Sequence, residues 1–487
     1  MKNKIKNIFG MLLALVLLLT SVGINSVYAA NNGEITVNGT TAGKNYGIYK
    51  IFDLTYKDDN VSYTIADEWK DFFSLTGAGK DYIVDTDPSG KLNPIVVDGK
   101  VKYINITDNN VAEFAKKAMA EMPNKTRQAV QKASGNTLTF TGLALGYYLV
   151  HPEGATEALQ GQTSIVSLTS TKPKGEVKVK GTYPTIKKEA DKKSADYDEK
   201  ITFTVTGKVP DSTGYSKYEY VLKDTLPKGL TIDQNSIKVT IGANDLTANV
   251  TKNVTGQNLT VTFNILSLVK NNNVKAGQEI KVVYDTRVNK DFNLGNQGEE
   301  NKAHVEFPND PKDSEKKDKT PEEKVKVYSG KIKVIKYDKN EKSKKLPGAE
   351  FVLKNSEGKF YRLDEIGGKK IVSWKDQEKD ATILTSNNSG ELEFTGLKAG
   401  KYSLKEIKAP EGYNLLTKEV GVELKDGSDP SDTEVNMEAL SNVENSSGTE
   451  LPGVGGTGTK LFASIGGAII IFAAFSLIKS RIKLQER

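Results

Sequence analysis

The 487-residue chain has no cysteine, two histidines and two tryptophans. Without cysteine there can be no disulfide framework and no thiolate chemistry. With His151 and His304 as the only imidazoles, neither a Cys/His metal cluster nor an evident Ser-His-Asp set can be assembled, so no metal and no cofactor is expected. Charge of one sign is not in excess either. The 68 basic and 62 acidic residues leave a formal charge of +6 spread along the chain, which does not describe a nucleic-acid surface. The length suits about three domains of ordinary size.

Long apolar runs occur at the two ends. Lys2, Lys4 and Lys6 precede an apolar core over residues 11–19, and Val27-Tyr28-Ala29 has the small-residue form of a signal-peptidase site. Residues 1–29 are therefore expected to be a signal peptide, cut between Ala29 and Ala30. At the other end, Leu451-Pro452-Gly453-Val454-Gly455-Gly456 leads into an apolar run over 461–478 and a basic tail with Lys479, Arg481, Lys483 and Arg487. Such a run is just long enough to cross a bilayer as a helix, and the positive charge behind it holds the tail inside. What lies between the two ends is then outside the cell, where a chain exposed to force and proteases needs a staple other than a disulfide.

Between these ends the pattern is mainly β. Residues 30–180 read as a first domain, in which Ile35 and Val37 alternate, 46–54 and 137–151 are strand-like, and Val111, Phe114, Ala115, Ala118, Met119 and Met122 recur at helical spacing. Residues 181–327 read as a middle β-sandwich of immunoglobulin-like type, with alternating runs at 201–205, 218–222, 237–241, 259–265 and 280–284 and no helix. Its lysine-rich stretch 310–324 reads as a solvated loop or hinge. Residues 328–445 form a third domain with strands at 331–337, 350–354, 391–394, 402–407, 419–423 and 436–443, and residues 446–487 make up the terminal segment. Beads of this kind in series suggest a rod.

Strand alternation also sorts the reactive side chains. Tyr402, Leu404 and Glu406 share a face, as do Ile332, Val334 and Lys336, and as do Val443 and Asn445. A carboxyl buried among apolar neighbours without a cation is costly and takes up a proton. In the middle domain Lys188 shares a face with Ile186 and Ala190 while Lys187 points the other way; Tyr220, Leu222 and Asp224 share one, and so do Asn301, Ala303, Val305 and Phe307. The plainer reading of Asp224 is a cap on the turn at Pro227-Lys228-Gly229. An internal repeat sets Phe140-Thr-Gly-Leu143-Ala-Leu-Gly146-Tyr-Tyr148 against Phe394-Thr-Gly-Leu397-Lys-Ala-Gly400-Lys-Tyr402. Extended, it puts Pro152 where the third domain has Glu406 and Gly39 where it has Lys336. The first domain thus lacks both the inward carboxyl and the inward lysine.

The run Tyr402-Ser-Leu404-Lys-Glu406-Ile-Lys-Ala409-Pro410-Glu-Gly412-Tyr413 resembles the E-box of collagen-adhesin B-type domains and Gram-positive pilins. The terminal Leu451-Pro452-x-Val454-Gly455 resembles the cell-wall sorting signal, in which a sortase cuts before the glycine; Val454 replaces threonine, keeping its β-branched shape and losing its hydroxyl. Over the whole chain the resemblance is to the backbone subunit of sortase-assembled pili. It implies an intramolecular bond between Lys336 and Asn445 assisted by Glu406, and a second between Lys188 and Asn301 assisted by Asp224. The first domain, with no such bond, would be the softest.

The same resemblance implies an acceptor lysine between the first two domains, in a Tyr-Pro-Lys segment. Here Thr185 follows Tyr183-Pro184, which leaves Lys180 and Lys187 as candidates, Lys180 first. Implied partners are pilin-type and housekeeping sortases, identical subunits joined head to tail, minor pilins, peptidoglycan and a host surface. The alternatives are a wall-anchored adhesin or minor pilin that is attached once and never polymerised, and a secreted enzyme, against which the scarcity of histidine argues.

Overall fold

Period-two alternation folds as strands through most of the computed structural model, which describes residues 32–57, 60–107, 109–153, 164–168, 172–179, 183–431 and 434–448. Ala29, Ala30, Lys180, the pentapeptide residues Leu451, Pro452, Val454 and Gly455, and the apolar run 461–478 lie outside the described residues. Among the described residues, no helix is long and apolar enough to cross a membrane. The chain groups into two compact units, one of residues up to 192 with 200–287 and 300–326, the other of 193–199, 288–299 and 327 onward.

In the first unit, strand Gly33–Asn38 is the centre of a three-stranded sheet, antiparallel to Thr137–Leu143 and parallel to Lys174–Lys178. A second sheet is built around Asn45–Lys57, which pairs with Gly146–Pro152 and with Asn60–Ile65. Ile35 and Val37 are buried against Ile48, Phe140 and Val150 in one core. The helix Val111–Glu121 turns Phe114, Ala115, Ala118 and Met119 inward, as its 3.6-residue period requires. Phe114 meets Phe72 edge-on with ring centroids 5.9 Å apart. Each such buried ring stabilises by roughly 1.5–3 kcal/mol relative to exposure.

Two six-stranded sheets follow in the same unit. One carries Lys187–Ala190, Lys200–Lys208 and Glu279–Val288 side by side; the other carries Asn258–Asn264, Glu219–Thr225 and Glu299–Pro308. Phe203, Val205, Val282 and Tyr284 from the first sheet, and Leu222, Val261, Phe263 and Val305 from the second, are buried. Two expectations need correction. Residues Ile265–Asn271 form a short helix, because the Asn264 side chain caps it by accepting from the Ser267 N–H at 3.1 Å while Ile265 and Leu268 stay buried. The lysine-rich stretch is not simply a solvated loop: Lys317–Lys319 extends a sheet by pairing with Glu299–Pro308, and Asp310 and Thr320 are buried. Thr320 is held by its hydroxyl, which accepts from Val305 N–H at 3.0 Å, and Asp310 by an ion pair with Arg127.

The second unit repeats the plan of the first domain. Gly330–Asp338 is antiparallel to Glu391–Leu397 and parallel to Glu438–Asn445, and a six-stranded sheet carries Glu350–Asn355, Gly400–Lys408 and Val420–Leu424. Ile332, Val334, Phe351, Leu353, Tyr402, Leu404 and Val443 share its core. The repeat is visible in detail. Ile35 pairs with Phe140 as Ile332 pairs with Phe394; Gly142 and Gly396 adopt φ of 71° and 69°; and the Tyr148 and Tyr402 hydroxyls each donate to the carbonyl four residues back, at 2.6 and 2.7 Å. A side chain at Gly396 would strike the Tyr197 ring. The hairpin Phe360–Ile366 and Lys369–Lys375 was not legible in the sequence, since most of its residues are half-buried on both faces and show no apolar alternation.

Candidate functional site

The second unit brings Lys336, Glu406 and Asn445 together in its core, with 0%, 3% and 2% of their surface exposed. Lys336 and Asn445 come from neighbouring parallel strands of one sheet, and Glu406 reaches in from the other. The Lys336 ammonium donates to Asn445 Oδ1 and, at 3.3 Å, to the Glu444 carbonyl, and lies 3.2 Å from Glu406 Oε1. Asn445 Nδ2 donates to both Glu406 oxygens at 3.1 Å and to the Asn414 carbonyl at 2.9 Å. The Leu416 N–H donates to Glu406 Oε2 at 2.8 Å, fixing the carboxyl. Burial depresses the pKa of Lys336, opposed by the charge of Glu406.

The middle domain assembles Lys188, Asp224 and Asn301 differently. Lys188 belongs to one sheet, whereas Asp224 and Asn301 lie on adjacent strands of the other. All three are buried, and Lys187 next door is exposed. Lys188 donates to Asp224 Oδ2 and, at 2.8 Å, to the Tyr284 hydroxyl. Tyr284 donates to Asp224 Oδ2 at 2.7 Å and accepts from Asn301 Nδ2 at 2.8 Å. Asn301 Oδ1 and Asp224 Oδ1 have no hydrogen-bond partner among the described residues. Burial lowers the pKa of Lys188 and raises that of Asp224, each opposed by the other's charge. Asp224 sits within the strand Glu219–Thr225 and spends its oxygen on Lys188 and Tyr284, not on the following turn.

The second unit sets a primary amine directly against a carboxamide with a carboxyl at hand, and the middle domain gathers the same three groups around the Tyr284 hydroxyl, both in a buried core. Such a set can support attack of a neutral amine on the amide carbon with loss of ammonia. Among the described residues, the matching positions of the first domain hold no such set. Gly39 stands at the register position of Lys336 and Pro152 at that of Glu406. One residue on, Glu153 is buried, but its cation is Arg127, whose guanidinium is not a nucleophile: Arg127 Nη2 lies 2.9 Å from Glu153 Oε2 and also pairs with Asp310. The sequence reading missed this acid and Tyr284. The signal for Tyr284 was its place in the inward alternation Ile280, Val282, Tyr284, because a buried tyrosine hydroxyl needs a partner.

Residues 330–439 match the SpaA prealbumin-like fold domain family. The trypsin-resistant surface T6 protein of Streptococcus pyogenes is 25% identical over 281 residues, which are 53% of this chain and 47% of that protein, so the chain spans about half the length of the curated relative it matches. The pilus 2b backbone protein of group B streptococcus is 30% identical, with 54% of this chain and 99% of that one covered and a TM-score of 0.43. The T6 backbone pilin of serotype M6 Streptococcus pyogenes, 17% identical, covers 85% of this chain and 98% of its own with a TM-score of 0.53, which bears on the fold alone.

Proposed function

The chain belongs to the backbone pilins of Gram-positive pili, and on that premise we propose that it is the repeating subunit of a covalent cell-surface pilus, stabilised by Lys336–Asn445 and Lys188–Asn301 isopeptide bonds. The observation that carries this reading is the pair of buried amine, amide and acid sets in the two domains that have them, beside their loss in the first. In each set the neutral lysine nitrogen attacks the asparagine Cγ. The Cγ–Nδ2 bond then breaks, one amine proton passes by way of the carboxyl to the departing nitrogen, and ammonia leaves. Folding supplies the positioning, and burial supplies the neutral amine. This chemistry runs once per site and serves structure; the chain turns over no substrate.

Assembly is assigned to sortases. A pilin-type enzyme cuts between Val454 and Gly455 and passes the Val454 carbonyl to an acceptor lysine of the next subunit, while a housekeeping enzyme passes the finished fibre, with its minor pilins, to peptidoglycan. Lys187 supports the acceptor role by its exposure, with its amine at the surface paired to Glu189 at 2.6 Å. Lys180 is the other candidate. A denaturing gel of cell-wall extract should show a ladder of high-mass forms, and tandem mass spectrometry of those bands should find Val454 joined to one of the two lysines. A single band at the mass of one subunit would instead identify an anchored, unpolymerised surface protein.

A further inference from the structure

The two cross-linking sets differ in how the acid meets the amide. In the second unit Glu406 touches Asn445 directly through both oxygens, at 3.1 Å. In the middle domain Asp224 makes no hydrogen bond to Asn301. Its side chain is one methylene shorter, and the gap is filled by the Tyr284 hydroxyl, which touches Lys188 Nζ at 2.8 Å, Asp224 Oδ2 at 2.7 Å and Asn301 Nδ2 at 2.8 Å. Resting on the isopeptide reading above, we propose that Tyr284 is a catalytic residue of the middle domain, carrying the proton between Asp224 and the amide nitrogen that leaves.

The arrangement suits that work. The ring is fixed by stacking on Phe203, with centroids 5.7 Å apart, so the hydroxyl has little freedom to stray. Among the described residues, the titratable side chains within hydrogen-bond reach of the Tyr284 hydroxyl are Lys188 and Asp224. Burial and the neighbouring carboxylate push the phenol well above its ordinary pKa, so it remains a proton donor at any working pH. The two ends of the carboxamide exchange by a half-turn, and in either setting the hydroxyl faces it, accepting from Nδ2 or donating to Oδ1.

Lys188 Nζ forms the bond to Asn301 Cγ, and the carbonyl electron pair moves to Oδ1. Asp224 takes one proton from the new C–N nitrogen as the Tyr284 hydroxyl gives its proton to Nδ2; Asp224 returns a proton to the tyrosine oxygen. The oxygen pair reforms the carbonyl, the Cγ–Nδ2 pair leaves with nitrogen, and the products are a secondary amide and ammonia. No external co-reactant is needed, and Tyr284 and Asp224 end as they began.

The test uses Tyr284→Phe, which keeps the ring and its stacking, in the exported chain made by cell-free synthesis and sampled over time. Peptide mapping by mass spectrometry scores the Lys188–Asn301 and Lys336–Asn445 links separately. The Tyr284→Phe chain should close the middle-domain link on the order of a hundredfold more slowly, while the third-domain link closes at the wild-type rate. Adding Asp224→Glu, whose longer acid reaches the amide as Glu406 does, should restore much of the lost rate. The bondless Asn301→Ala chain gives the melting temperature expected of a folded but unlinked middle domain, which Tyr284→Phe should match before its link forms. An unchanged rate in Tyr284→Phe overturns the assignment, as does a slow chain that Asp224→Glu fails to rescue. A wild-type chain with no Lys188–Asn301 link would overturn the isopeptide reading of the middle domain instead, and the two failures are distinct.

Discussion

Lys336 and Asn445 meet along a diagonal: in the parallel ladder Lys336 lies opposite Val443 and Asn445 opposite Asp338, two positions further on, yet the amine donates to the amide oxygen. A bond here would lock the last strand of its domain to the first within one sheet. Lys188 and Asn301 belong to different sheets, so a bond there would pin the two layers of the sandwich to each other.

The intact mass of a recombinant chain of residues 30–450 should fall short of its sequence mass by one ammonia for the middle domain and one for the third, with nothing from the first. A full sequence mass would refute both bonds. A third missing ammonia would contradict the loss of reactive groups at Gly39 and Pro152.

Replacing Glu406 with alanine should restore one ammonia, in the third domain only. Lys336 and Asn445 are 109 positions apart, and closing a ring of about 100 residues stabilises by roughly 4–5 kcal/mol on the chain-entropy account. For a domain of this size the melting temperature should drop by roughly 20 °C. Calorimetry of the variant beside the wild type measures it; equal mass and equal melting would remove Glu406 from the reaction.

Arg127 should be the costliest single residue in the first domain to truncate. It neutralises two nearly buried carboxylates, Glu153 and Asp310, and its Nε donates to the Tyr49 hydroxyl at 3.1 Å. Arg127→Ala strands both acids and should cost about 3–5 kcal/mol in denaturant unfolding. A loss under 1 kcal/mol would mean that water reaches the cluster.

The same corner predicts opposed pH effects. Burial pushes the Glu153 carboxyl up to about 7, from an ordinary value of 4.5, despite Arg127 and with Asp310, Lys312 and Lys316 also acting on it. The folded state then holds the extra proton, and stability falls as pH rises from 4.5 to 7. Burial, reinforced by Arg127, lowers His151 to about 4 from 6.5, so its contribution rises with pH between 4 and 6.5. The two nearly cancel between 4.5 and 6.5. Urea titrations across this range should show His151→Asn losing stability as pH rises and Glu153→Gln gaining it, each by up to about 1.4 kcal/mol per pH unit. Parallel pH profiles in the two variants would contradict the assignment.

The sequence by itself determined which side each strand residue faces, because a pleated strand turns successive side chains to opposite faces whatever lies beside it. Lys336, Glu406, Lys188 and Asp224 could therefore be read as inward-facing, and the repeat from Phe140 and Phe394 exposed the missing acid and amine of the first domain. Alternation does not say which strand becomes a neighbour. That Lys188 and Asn301 come from opposite sheets, that Tyr284 stands between Asp224 and the amide, and that Arg127 meets both Glu153 and, across 183 positions of chain, Asp310 were decided only by tertiary packing. The helix at Ile265–Asn271 escaped for the opposite reason: its signal is a single capping asparagine, local and brief, inside a run whose apolar residues suit a strand equally well.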